Sequence, residues 1–157
     1  MTAPAHQWER RADAVLGIAA SAILMAMMCL TFVDVVARYV FNRPLRGGFE
    51  VTELLLLVLI FAGLPLVSHA DEHVTMDFID RLLGERTRDR LERVVHAVVA
   101  ALMFFMSWQV WIKAERISDY GDSTDVLRIL YGPFVYFMAA MIALAGLIHV
   151  YKAFEKT

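Results

Sequence analysis

Charge is missing from long parts of this sequence. Ala14 to Val33 (20 residues), Leu54 to Ser68 (15), Val94 to Ile112 (19) and Ile129 to Tyr151 (23) contain no Asp, Glu, Lys or Arg. Soluble domains are about 45–50% apolar, whereas this 157-residue chain is 59% hydrophobic and 20% charged. A water-soluble fold is excluded. Cysteine is reduced to Cys29 alone, so an intrachain disulfide and a Cys-based zinc site are excluded too. Its place in the first apolar run reads as a small buried side chain. Basic excess is also absent: 15 Lys and Arg stand against 17 Asp and Glu, a net charge of -2, which gives no footprint for nucleic acid. Nor is there a long polar segment. The longest stretch between apolar runs, His69 to Arg93, has 25 residues, below the ~40 at which a domain without disulfides or metal buries a core. No soluble catalytic domain fits, and the chain reads as a non-enzyme.

At ~1.5 Å per residue against a ~30 Å hydrocarbon core, the first, third and fourth runs span a membrane unaided. The second reaches spanning length with Phe49, Val51, Thr52, His69 and Ala70. The prediction is an all-α membrane protein, one domain over 1–157, with spans near 14–37, 50–70, 91–113 and 126–151. Arg10 and Arg11 precede the first run, but that run exceeds the ~7–15 residues of a signal sequence and ends in charge rather than at a cleavage site. The acidic setting of Glu9 and Asp13 also argues against a twin-arginine export signal, so the segment is predicted to be a retained first helix. Four spans put both termini on one side. That side collects nine Lys and Arg and the other six, which predicts cytoplasmic termini. Trp8, Trp108 and Trp111 then suit interfacial belts.

Between the second and third spans, Met76, Ile79 and Leu83 follow a 0, 3, 7 spacing among Asp77, Asp80 and Arg81. This predicts a short amphipathic helix over 74–83 lying in the interface, the alternative being a solvated connector. The charged run Glu85 to Arg93 is predicted to continue as helix into the third span. Across the membrane, Asp119, Asp122 and Asp125 form an acidic loop in which Asp125 or Thr124 is predicted to cap the fourth helix. Neither an internal repeat nor a span split into half-helices is present, although a self-sufficient carrier ordinarily shows one or the other.

Ionisable groups near a membrane need a reason. Asp34 and Arg38, four apart, share a helical face and are placed to pair. Glu50 and Glu53 share a face at the start of the second helix. The helix macrodipole suffices to explain them; the functional reading makes them partners for Arg38 or for basic residues of another subunit. A catalytic carboxylate pair lacks the material for a cleft. His96 and His149 lie at matched depth near the cytoplasmic ends of the third and fourth spans, with His69 and His73 close by. They raise the alternative of a haem-binding anchor subunit of a respiratory enzyme, although about 4 Å of depth is shallow for a haem iron. Small residues four apart, Gly17 with Ser21 and Ala22 with Ala26, and the set Ala139, Ala143 and Gly146, predict close helix packing. Gly63 with Pro65 predicts a bend in the second helix, and Gly132 with Pro133 the start of the fourth. The methionine cluster reads as adaptable helix contact rather than a copper path.

The order of features resembles the DctQ-type small membrane subunit of the tripartite ATP-independent periplasmic (TRAP) transporters. The resemblance runs through DVVARYVF at 34–41, LRGGFEVTEL at 45–54, FAGLPL at 61–66 and HVTMD at 73–77, with a looser match in YGPF at 131–134. Ala70-Asp71-Glu72 and Phe49 depart from the family's usual glycine or arginine and its larger aromatic. The resemblance implies a scaffold subunit in the bacterial inner membrane with its termini in the cytoplasm. Its implied partners are a large sodium-coupled elevator subunit, a periplasmic substrate-binding protein and membrane lipid. The implied cargo is an organic anion, commonly a carboxylate, and sodium binds in the large subunit, with no cofactor or metal in this chain. With it, Arg38, Glu50 and Glu53 are expected to form a polar cluster at the outer interface and His73 with Asp77 to hold the turn into the interfacial helix, Asp34 being a further structural candidate.

Overall fold

The computed structural model describes residues 5–70 and 85–155 as four α-helices: α1 Ala5–Val40, α2 Gly48–Ala70, α3 Glu85–Tyr120 and α4 Gly132–Glu155. No strand occurs among the described residues, and an isolated bridge pairs Ser123 with Leu130. In hydrocarbon a helix satisfies its backbone within itself, which is why apolar runs of this length adopt it. All four are long and apolar enough to cross a membrane, over Gly17–Val40, Gly48–Pro65, Arg93–Tyr120 and Gly132–Phe154. The expected interfacial segment 74–83, with His73 and Asp77, lies outside the described residues. As expected, α3 starts at Glu85. It runs on to Tyr120, two turns past the expected end, while α4 begins at Gly132 rather than at 126. α2 continues through Pro65 as one helix.

The helices make one open layer. α3 packs on α4, α4 on α2, and α2 on α1; among the described residues no other pair touches. The spatial order is therefore α1, α2, α4, α3, and α1 and α3 are edges that never meet. α2 and α4 are the inner helices, and α4 carries much of the core, with Val135, Ala139, Ile142 and Ala145 buried.

Small residues bring α3 and α4 together. A Cβ added at Gly146 would stand 3.3 Å from Met103 Cβ and 3.5 Å from the Phe104 ring. Ala100 and Ala114 are buried on the α3 side. The Ser107 hydroxyl donates to the Ala139 carbonyl at 2.8 Å, and Trp111 meets Tyr136 edge to face with centroids 5.0 Å apart. The first helix differs. A Cβ added at Gly17 would meet nothing within 4 Å, and Ser21, Ala22 and Ala26 are exposed, so the small-residue stripe there packs on no neighbour among the described residues. Cys29 is exposed, contrary to the expectation of a buried thiol, because α1 is an edge.

Candidate functional site at the α1–α2 turn

α1 ends where Asn42 takes a positive φ of 52° and the Arg43 amide donates back to the Ala37 carbonyl at 3.1 Å. This left-handed exit satisfies a carbonyl of the last turn. Asp34 then ties the turn down. One carboxylate oxygen accepts the Leu45 amide at 2.8 Å, and the other accepts Arg38 Nη2 at 2.9 Å. Gly47, at φ 80°, leads into α2, and its carbonyl accepts the Val51 amide at 3.1 Å. Any side chain there would run into Leu127, so glycine answers both the backbone angle and the close approach.

Glu50, in the first turn of α2, does not serve its own helix. Its Oε1 accepts the Val126 amide at 2.7 Å and its Oε2 the Leu127 amide at 2.9 Å. The α3–α4 loop is shaped to present those amides. It leaves α3 through Gly121 at φ 66°, and the Thr124 amide donates to the Ile129 carbonyl at 2.9 Å. The Thr124 hydroxyl, nearly fully buried, accepts the Ile129 amide at 3.0 Å. The loop closes as the Tyr131 amide donates to the Asp122 carbonyl at 3.0 Å. The Tyr131 carbonyl accepts the first amides of α4, from Phe134 and Val135. Burial, and then the nearby carboxylates of Glu53, Asp125 and Glu50, hold the Tyr131 phenol above its ordinary value of 10.0.

These elements line a half-open pocket of about 390 Å³ with Asp34, Arg38, Gly48, Glu50, Thr52 and Asp125 on its wall. The expected cluster of Arg38 with Glu50 and Glu53 takes another form. Arg38 pairs with Asp34, one helical turn away, and Glu50 is occupied by loop amides. Glu53 is exposed and makes no ion pair among the described residues. Thr124 and Asp125 do not cap α4, which starts several residues later; Thr124 caps its own loop.

At the opposite end, α4 turns a cation inward. Lys152 is 7% exposed, and its Nζ donates to the Ser68 carbonyl at 2.6 Å, in the last turn of α2, where a positive charge is favoured. Beside this contact His96 and His149 face one another with Nδ1 atoms 3.3 Å apart and ring centroids 5.5 Å apart. A haem iron between two imidazoles holds their ligating nitrogens about 4 Å apart on opposite sides of the porphyrin. Here the rings touch directly, so the geometry gives the haem reading no support. Among the described residues no three His, Cys, Asp or Glu side chains are grouped to hold a metal.

Residues 27–157 match the family model of the DctQ component of tripartite ATP-independent periplasmic transporters. The chain belongs to the DctQ family. Comparison with curated proteins gives no match. DctQ is a transporter component and not an enzyme, and with four spanning helices this DctQ chain is a multi-pass inner-membrane protein. The matched region contains both polar ends, from Asp34 at the turn to Lys152 on α4. The Glu50 clamp and the inward Lys152 are features of this DctQ that sequence reasoning missed. The sequence marks Glu50 by its helix terminus and by expected basic partners, not by the loop amides it meets, and it marks Lys152 only as a C-terminal charge.

Proposed function

We infer that this DctQ chain is the small scaffold subunit of a TRAP-type secondary transporter. It braces a large sodium-coupled elevator subunit that imports organic anions, carboxylates in particular, delivered by a periplasmic binding protein. Its termini face the cytoplasm, in line with the excess of Lys and Arg on that side. The observation that carries this reading is the open layer α1, α2, α4, α3. A carrier holds substrate near the bilayer midplane between repeats or broken helices. Among the described residues the four spans are unbroken helices, and the charged side chains that tie the layer together lie toward the helix ends, at Glu50 and at Lys152. The apolar walls of a single layer favour a static support beside a larger membrane neighbour.

Reconstitution tests it. The chain is co-expressed with the large subunit, purified and placed in liposomes with the binding protein, and uptake of labelled organic acids is followed under a sodium gradient. Uptake that needs both membrane subunits is the expected result. Uptake by this chain alone, or full uptake without it, overturns the scaffold reading.

A further inference from the structure

The face of α2 turned away from Leu54 and Glu50 has a regular composition. Phe49, Glu53, Leu56, Ile60, Gly63 and Val67 follow one another at intervals of 4, 3, 4, 3 and 4 residues. Phe49 is 83%, Ile60 56% and Val67 55% exposed. Glu53 is exposed as well, and a Cβ added at Gly63 would meet nothing within 4 Å. A 4-3 alternation is the seam along which two helices interlock side by side. Among the described residues it is unfilled although α2 already has α1 and α4 as neighbours.

One group on the seam specifies what fills it. Glu53 lies within the span that begins at Gly48, roughly 7–8 Å along the helix from its start. It has no basic partner among the described residues. The positive end of the helix macrodipole favours a carboxylate here, and in an interface within the membrane a cation opposite it would pair it. A second copy of this chain in the same membrane orientation would bring Glu53 against its own equivalent, like charge on like charge.

We propose that this face of α2 receives a transmembrane helix of the large subunit, with a lysine or arginine of that helix opposite Glu53 and its backbone drawn close at Gly63. The proposal rests on the scaffold reading and deepens it by naming the surface and the chemistry of its occupant.

The experiment uses the co-expressed complex in native membranes, with a photocrosslinking residue at Ile60 and, separately, Glu53→Gln and Glu53→Lys. The expected adduct joins Ile60 to the large subunit, in a peptide that holds or adjoins a lysine or arginine. Glu53→Lys is expected to lower recovery of the large subunit by about tenfold or more, because two cations would meet in a desolvated interface, and Glu53→Gln by less. Adducts only with lipid or with a second copy overturn the proposal, as does wild-type recovery with Glu53→Lys. Where the wild-type chains fail to co-purify at all, the scaffold reading itself falls. Where they co-purify and Ile60 gives no adduct with the large subunit, only this docking face falls.

Discussion

Glu50 and Leu127 lie 77 positions apart, yet the Glu50 carboxylate accepts the Leu127 amide at 2.9 Å. The same carboxylate takes the Val126 amide, so one side chain at the start of α2 fixes the tip of the α3–α4 loop. Because α2 is the one helix that α1 touches among the described residues, the clamp joins the helix that carries α1 to the connection between α3 and α4.

Removing that carboxylate is expected to release the loop without unfolding the helices. Glu50→Ala leaves two amides without their acceptor, and their hydrogen exchange is expected to accelerate by about tenfold or more. Glu50→Gln retains one acceptor oxygen but turns an NH2 donor toward the other amide, so it falls between. Exchange mass spectrometry on peptides covering 122–131 reads this. Unchanged protection in Glu50→Ala would show that the loop stands by itself.

Local chemistry was legible in the sequence where it depends on short spacing. Asp34 and Arg38, four residues apart, pair as helical geometry dictates, and Gly132-Pro133 opens α4 as their backbone preferences require. The Glu50 clamp was not legible, because its partners are main-chain amides, which every non-proline residue has and no side chain advertises. Thr124 misled for the same reason: an N-cap side chain accepts an amide two or three residues ahead, whereas the tight loop brings the Ile129 amide, five residues ahead, to the same hydroxyl. The order of the layer was hidden as well. In lipid both the packed and the lipid-facing sides of a helix are apolar, so periodicity does not tell which side meets a neighbour.

Tyr131 supplies the pH prediction. Its phenol is held above the ordinary 10.0 by burial and by the charges of Glu53, Asp125 and Glu50. The folded protein therefore keeps this proton more tightly than the unfolded chain. Its contribution to stability is full below the ordinary value and is lost as pH climbs through the raised one. Titration of phenolate absorbance, corrected with Tyr131→Phe, is expected to give a midpoint above 10.0, moved down by Glu53→Gln. A midpoint at or below the ordinary value would contradict the placement of these carboxylates.

Lys152 is tested by removing its charge and keeping its length. Lys152→Met fills a similar volume but leaves the Ser68 carbonyl without its ammonium donor, and a hydrogen bond from a charged group is worth about 1.5–3 kcal/mol. Thermal unfolding of the purified protein in detergent is expected to show a loss of that order, with Lys152→Arg nearer to the wild type. An equal or higher midpoint in Lys152→Met would mean that desolvating the ammonium costs as much as the contact returns.

The two glycine-containing stripes make opposite predictions, although their spacing looks alike. Gly146 lies against Met103 and Phe104 on α3, so Gly146→Leu must push the α3–α4 seam apart, an overpacking that costs about 1–3 kcal/mol. Gly17 faces open space among the described residues, and Gly17→Leu is expected to leave the unfolding of the isolated subunit unchanged. Comparing each variant alone and in complex with the large subunit then separates internal from external packing. Loss in both settings is expected for Gly146→Leu. For Gly17→Leu, a loss confined to the complex would place a partner helix against α1, while no loss in either setting would leave that edge to lipid. A defect of Gly17→Leu in the isolated subunit would contradict the open layer itself, since it would require a neighbour for α1 that the order α1, α2, α4, α3 does not provide.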